Sequence, residues 1–433
     1  MLRILFISVI ILVGVFYAFI SPFYALLFYL WNAYFRPQEW IWWVDIASWH
    51  ISLIIGVYVV FRTVFSLPNP QINLRTGLIL LFLLQAVLCT VTSEHVDVSV
   101  NFLEDYAKVL LISYFIVILV TDRHKFRTTM IVIALSLGLE CAKQGWVNLF
   151  LAPGAPNSNP IGFLGDNNGV ALGTMMLVPL IAALARTTTY PWRRRAYWFI
   201  AIGVFMRGIT TYSRGGFVAA AVLGIFVFAR SDKKIRALVG VAVLAGLVAF
   251  VMPQQYWDRI NTITPNEQNM DESAAGRVHF WRVATNMAKA RPFTGVGLNG
   301  FEPSYLTYDP TSTFGEDRQT HSTWFGVLAE LGLPGLVLFL ANLSLAIGSN
   351  WRVAKLARSH PGLRDVSMYA NAFFTSLIVF CVGGSFLSSQ YSEMFWHFIG
   401  LSTALSIIAA KEVEAEVPAA VPARAPGRLA MAR

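Results

Sequence analysis

The chain has 433 residues, of which 56% are hydrophobic and 13% charged, a balance too apolar and too poor in charge for a soluble domain. Apolar runs of roughly 17 to 25 residues recur from end to end, each long enough to cross a bilayer, which excludes a soluble globular fold and a β-barrel and leads to an all-α integral membrane protein. The formal net charge of +9 does not indicate nucleic acid, because the basic residues collect in short turns, as in the cytoplasmic loops of membrane proteins.

Twelve spans fit the hydropathy, at 5–33, 48–65, 77–91, 106–120, 130–150, 169–185, 196–209, 216–229, 235–251, 323–347, 370–387 and 394–409. No small-x-small site follows the first, so a cleavable signal peptide is not expected. Basic clusters at 123–127, 193–195, 230–236 and 352–364 occupy every second loop, which assigns those loops to the cytoplasm. Alternation then puts 36–49 outside, with 5–33 read as one long span bent at Ser21-Pro22. Two spans with the N-terminus outside are the alternative. The chain thus divides into 1–251 with the first nine spans, 252–320 as a long outer loop containing helices, 321–410 with the last three spans, and 411–433 as a disordered, Ala-, Pro- and Arg-rich cytoplasmic tail.

Three outer stretches carry the polar chemistry. The first, 157–168, is a turn rich in Pro, Gly and Asn that ends in Asp166-Asn167-Asn168. The second, TTYSRG at 210–215, is too short for Arg214 to leave the membrane surface. An arginine at the membrane edge is costly and marks a functional site with an anionic partner. Its planar fork suits phosphate oxygens, and Gly215-Gly216 lets a ligand approach the backbone. The competing reading is snorkelling, or a structural pair with a carboxylate such as Asp166. The third stretch, 252–320, carries six Lys/Arg against eight Asp/Glu, and a loop of this length between spans is more often functional than idle. Within it Arg277 opens an amphipathic helix with Phe280, Ala284, Met287 and Ala288 on one face. Such a helix can lie on the bilayer surface and bring Arg277, Arg282 and Lys289 to lipid phosphates. An ordinary solvated face is the alternative for Arg282 and Lys289.

The long loop ends at His321, where the polar run GEDRQTHS passes into an apolar helix. An imidazole at a water–lipid boundary, with an ordinary pKa of about 6.5, can be neutral and still accept a proton near neutral pH, as a general base must. The plainer reading is an interfacial residue at a helix start. His50, His95, His279 and His397 lie near outer boundaries and His124 and His360 in basic loops; none is spaced as HxH or HxxxH, and there is no DxD, so no metal site is expected. The run Gly295-Val296-Gly297-Leu298-Asn299-Gly300 matches GxGxxG literally, but no strand precedes it, and a tight glycine turn after Pro292 is the better meaning. Glu330, a carboxylate inside a span, is expected to pair within the bundle or to support a break at 332–335. Cys89, Cys141 and Cys381 lie in apolar segments without CxxC spacing and read as packing residues.

Taken in order, Asp166-Asn167-Asn168 ahead of a span, Ser213-Arg214-Gly215, Gly276-Arg277 followed by Trp281, PFTGVG at 292–297, and His321-Ser322 with Leu328, Glu330 and Gly332 resemble the O-antigen ligase and polymerase superfamily of bacterial cell envelopes. That superfamily also contains pilin-type protein O-oligosaccharyltransferases. The stretch FYLWNAYFRPQEW at 28–40 resembles the exosortase-associated O-glycosylation ligases. One departure is Ser322, where many members carry asparagine after the histidine.

The resemblance implies a GT-C-like fold in the bacterial inner membrane. It implies glycan transfer from undecaprenyl diphosphate to an acceptor at the periplasmic face, with no nucleotide-sugar, cofactor or metal. His321 is then the catalytic base, Arg214 and Arg277 stabilise the leaving diphosphate, and Arg214, Arg277, Arg282 and Asp166 form the donor-binding set. Lipid A-core is the acceptor expected of a ligase; a protein O-oligosaccharyltransferase or an O-antigen polymerase would use the same donor. The alternative from another class is a transporter of lipid-linked glycan. Against it stand the lack of an internal repeat and the gathering of charged candidates at one face. Membrane lipids are the remaining expected partner, and nothing in the sequence sets an oligomeric state.

Overall fold

The computed structural model describes residues 2–40, 51–66, 71–231, 233–261, 272–309, 311, 314–315 and 318–416. Among them are helices and no strands. In chain order these are α1 (Leu2–Ile20), α2 (Pro22–Phe35), α3 (Ile51–Phe65), α4 (Leu74–Val91), α5 (Val96–Leu119), α6 (Arg123–Leu151), α7 (Asn167–Thr187) and α8 (Pro191–Ile209). They continue as α9 (Arg214–Arg230), α10 (Lys234–Val251), α11 (Gln254–Asn261), α12 (Glu272–Ala290), α13 (Phe301–Tyr308), α14 (Thr323–Arg358), α15 (Arg364–Gly383) and α16 (Glu393–Glu416). Seven helices among the described residues are long and apolar enough to cross a membrane, as in an all-α membrane protein, and Ile4–Ile20 and Ile51–Phe65 are shorter apolar helices. Leu12, 70% exposed, and Phe250, 90% exposed, belong to apolar faces that water would not leave uncovered.

The helix ends sort onto two faces. On one, Arg123 at the start of α6 reaches both carboxylate oxygens of Glu412 near the end of α16, at 2.9 Å each, and lies 3.4 Å from Asp365 at the start of α15. Arg230 at the end of α9 donates to Asn371 Oδ1 at 3.1 Å, and Lys125 lies 5.6 Å from the centre of the Phe23 ring at the start of α2. The basic turns therefore share a side. The opposite face collects the starts of α5, α7, α9 and α14. There Glu94 N–H donates to Val296 O at 3.3 Å, and Asn157 N–H to Thr210 O at 2.7 Å. Between the faces, Phe339, Phe380 and Phe395 stack at 4.3 and 4.8 Å along the Phe395 ring, and Trp396 packs on Phe82 at 4.7 Å. This aromatic core fixes α4, α14, α15 and α16 relative to one another.

The first segment differs from the single bent span expected. The chain reverses at Ser21, so that the Phe28 ring fills the place of a Gly14 side chain, and Tyr17 and Tyr24 lie 5.3 Å apart, pairs nearly symmetric about the corner. Ser21 Oγ accepts from Phe23 N–H at 3.3 Å and Pro22 stands in the first turn of α2, where its missing N–H costs nothing. Both arms are apolar, so hydropathy does not mark the reversal. His50, residues 41–49, the start of the span expected at 48–65, and the tail from 417 onward lie outside the described residues. The part of the tail that is described, 411–416, continues α16 as helix instead of being disordered.

The break expected at 332–335 is present inside α14. Gly332 has φ 67° and ψ −171°, outside the helical region and in a half of the map that favours glycine. Pro334 has no N–H and would crowd the carbonyl of Glu330, four residues back. The backbone groups released are paired sideways by the glycine turn after Pro292. Val296 N–H donates to Ala329 O at 2.9 Å, Gly297 N–H to Glu330 O at 3.2 Å, and Leu333 N–H to Pro292 O at 2.8 Å. Gln85 of α4 completes the junction by donating to Phe293 O at 2.8 Å and Leu331 O at 3.0 Å. Glu330 itself accepts from Phe301 N–H at 3.2 Å, from Gln390 Nε2 at 3.2 Å and from the Tyr391 hydroxyl. It is a fully bonded scaffold group that ties the outer segment to the bundle.

Candidate active site

The polar end of α14 is held by its neighbours on both sides of His321. Thr320 Oγ1 donates to Ser322 O at 3.0 Å and lies 2.9 Å from Ser388 Oγ, while Trp281 Nε1 donates to Thr320 O at 3.1 Å. Thr323 Oγ1 donates to Leu387 O at 2.9 Å, and Trp324 Nε1 to Ser385 Oγ at 2.9 Å. Between these clamps His321 has φ 46°, the left-handed region, which costs an imidazole-bearing residue about 1 kcal/mol or more and persists only where the surroundings over-determine it. Its ring is half-buried and 5.9 Å from Phe280. Burial is the largest influence on its protonation and holds its pKa below the usual histidine value; the charges of Arg277 and Arg318 act in the same direction and Asp166 opposes them. These influences favour the neutral form of the imidazole, whose charged surroundings include Arg277 and Asp166.

The start of α9 is built in a similar way. Tyr212, two residues before Arg214, also has a left-handed backbone, φ 57°, and its hydroxyl bonds Gly154 O at 2.5 Å. Ser213 caps the helix by accepting from Gly216 N–H at 3.2 Å, which makes Arg214 its first residue. Asn167 Nδ2 donates to Thr211 O at 3.3 Å and so joins the start of α7 to this turn. Asp166 caps α7, accepting from Gly169 N–H at 2.8 Å. A Cβ on Gly216 would meet Ala171 Cβ at 2.6 Å, so this glycine serves the close crossing of α9 and α7 and not the approach of a ligand.

One residue that the sequence did not single out lies between Arg277 and the start of α9. Phe386, in the turn between α15 and α16, lies with its ring centre 6.0 Å from the Arg277 guanidinium carbon. A Cβ on Gly215, next to Arg214, would lie 3.7 Å from Phe386 Cβ. Arg277 and the start of α9 thus meet at the turn to which Thr320 and Thr323, on either side of His321, are also bonded, and Arg214 and Arg277 are both half-buried. Arg282 does not join them. Five residues after Arg277 it lies about 140° around the helix, and it is exposed. The apolar face of α12 is also not free for lipid, because Phe280, Val283, Ala284 and Met287 are buried with Phe301, Tyr305 and Ala329. Amphipathic spacing is the same for a face turned to lipid and one turned to protein.

Two further groups support the site. His279 Nε2 lies 3.0 Å from Asp309 Oδ2, and the same carboxylate accepts from the Tyr305 hydroxyl at 2.9 Å and from Thr311 N–H and Oγ1 at 2.9 Å. Burial pulls the Asp309 pKa upward, but these hydrogen bonds outweigh it and hold the carboxyl well below the usual range. On the other side, Arg207 of α8 is fully buried and donates to Gln144 Oε1 at 2.8 Å, Asn157 O at 3.1 Å and Asn159 O at 2.6 Å, fixing the turn that leads to Asp166. The signal for Arg207 was in the sequence: an arginine inside an apolar run needs a built partner set. Phe386 gave none, being one apolar residue in an apolar stretch. Among the described residues no three of His, Cys, Asp and Glu gather.

Residues 198–340, which include Arg214, Arg277, His321 and Glu330, match a family model described as O-antigen ligase. Residues 1–189 match a family of unknown function (DUF5935). No curated protein matches the chain. Members of the first family are glycosyltransferase-like enzymes, ligases and polymerases, and the match over residues 198–340 supports membership of the O-antigen ligase and polymerase superfamily.

Proposed function

We propose that this protein is an O-antigen ligase of the bacterial inner membrane that joins a glycan carried on undecaprenyl diphosphate to lipid A-core at the periplasmic face. The observation that carries the reading is the gathering of a half-buried His321, Arg277 and the Arg214 end of α9 about the turn that holds Phe386, Leu387 and Ser388. His321 accepts the proton of the acceptor hydroxyl as its oxygen attacks the anomeric carbon. The bond from that carbon to the diphosphate oxygen breaks on the opposite side, which inverts the configuration. Negative charge grows on the departing diphosphate, where Arg214 and Arg277 offer rigid, charged donors. The proton held by His321 then leaves to solvent or to the diphosphate. Arg282, exposed and on another side of α12, is the weakest member of the donor-binding set, whereas Asp166 acts through the charge it presents to His321.

The test is transfer by purified protein in liposomes, with undecaprenyl-linked glycan as donor and lipid A-core and a pilin-like protein offered together as acceptors. His321→Ala and Arg214→Ala are each expected to lose transfer by roughly 10²–10⁴-fold while remaining folded in the membrane. Transfer is expected to persist in EDTA. Undiminished product from His321→Ala would sink the base assignment, and glycan found on the protein acceptor alone would replace the ligase reading by that of a protein O-oligosaccharyltransferase.

A further inference from the structure

Next to Arg214 lies a cavity of about 440 Å³, lined by Pro156, Ser158, Asn167, Thr211, Tyr212 and Gln255. Its size is within the roughly 300–1,000 Å³ of small-molecule sites. Three elements form its wall: the turn that Arg207 clamps, the start of α7, and the left-handed turn before α9, with α11 across from them. Tyr212 is in the wall and Arg214 is two residues further on, within about 7 Å along even an extended chain.

Among the described residues, no Asp, Glu, Lys, Arg or His lines this cavity. Thr211 Oγ1 already donates to Gly208 O at 2.6 Å and accepts from Ser213 N–H at 3.2 Å, and the Tyr212 hydroxyl is taken by Gly154 O. The hydrogen-bonding capacity left over belongs to the Ser158 hydroxyl, the Asn167 side-chain carbonyl with its second N–H, and the whole Gln255 amide, a mixed set of neutral donors and acceptors. Among the described residues the wall itself offers an anion no charge and an apolar tail too many polar groups. A neutral polyhydroxylated ligand meets both requirements. By contrast, the adjoining cavity of about 300 Å³, which shares Pro156 and Ser158, contains Lys143.

We propose that the uncharged cavity seats the sugars of the donor nearest the diphosphate, and that Ser158, Asn167 and Gln255 read their hydroxyl groups and so restrict which glycans are transferred. The assignment rests on the glycosyl-transfer reading and adds to it a division of labour. Arg214 and Arg277 hold the charged link, and a neighbouring neutral cavity holds the sugar.

The experiment compares binding of two lipids to the full-length protein in nanodiscs: undecaprenyl diphosphate carrying one N-acetylhexosamine, and undecaprenyl diphosphate with no sugar. Wild type is expected to bind the sugar-bearing lipid about tenfold more tightly, the worth of one or two hydrogen bonds. Ser158→Ala and Gln255→Ala, both at exposed positions that tolerate truncation, are expected to abolish that preference and leave affinity for the sugar-free lipid unchanged. Equal affinity of wild type for the two lipids, or variants that weaken both alike, would overturn the assignment. A sugar preference lost in the variants, in a protein that transfers nothing to any acceptor, would uphold the cavity and defeat the enzymatic reading instead.

Discussion

Two histidines flank Phe280 and differ in how their surroundings bond them. His279 lies 6.1 Å from that ring and has a carboxylate at 3.0 Å that is itself bonded by Tyr305 and Thr311. His321 lies 5.9 Å from the same ring, has no hydrogen bond among the described residues, and sits on a strained backbone between two clamped neighbours. A satisfied polar group spends its bonding on the protein; a strained group left with spare capacity keeps it for something that arrives later. The difference between the two histidines lies in the bonds their neighbours supply and not in residue type.

The comparison can be broken most strongly at His321, where alanine should remove transfer without moving the melting temperature. Asp309→Ala should do the reverse. Loss of a buried carboxylate that collects four hydrogen bonds should cost about 2–4 kcal/mol of stability, read as a lower thermal transition of the detergent-solubilised protein, with transfer reduced only in proportion to the unfolded fraction. The Asp309 carboxyl is depressed in the folded state, so its stabilisation is present above its unfolded value near 4 and is lost as pH falls from there through the depressed folded value. Melting measured from pH 7 down to 5 should therefore show no pH dependence from this group, whose stabilisation is fully present over that range. A melting temperature unchanged in Asp309→Ala would remove the distinction drawn between the two histidines.

Smaller effects sharpen the contrast. Glu330→Gln keeps the shape and much of the bonding of a scaffold group, and transfer should fall by less than tenfold; a loss as large as that of His321→Ala would move Glu330 into the chemistry. Asp166→Asn should produce the smallest change and the most diagnostic one. Asp166 raises the His321 pKa against burial and Arg277, so removing its charge should lower that pKa further and move the acid limb of the pH–rate profile to lower pH. In wild type that limb should already lie below about 6.5. An acid limb that moves upward in Asp166→Asn would separate Asp166 from His321.

Much of this was readable from the sequence, and what was not has physical reasons. Apolar runs, the basic turns that share one face, the caps Asp166 and Ser213, and the Gly332–Pro334 break all leave local signals in residue type or spacing. The reversal at Ser21 does not, because both arms are equally apolar. The apolar stripe of α12 was visible, but spacing does not say whether Phe280 and Met287 meet lipid or Tyr305. Arg214, Arg277 and His321 announce themselves by charge and position, whereas Phe386 acquires its role only from where the fold places it. Gly216 was visible as a glycine, yet its reason, contact with Ala171, exists only in three dimensions.

The interruption at Gly332 also has a mechanical meaning. A continuous rod from His321 to Arg358 would transmit every tilt of its membrane portion to the imidazole, and a bilayer that thickens or thins does tilt its helices. With the ladder cut at Gly332 and the first turns stitched sideways to 292–297 and Gln85, the N-terminal end of α14 is fastened to the segment that carries Arg277. His321 and the segment that carries Arg277 are thereby tied to each other on one side of the interruption, apart from the long helix on its other side.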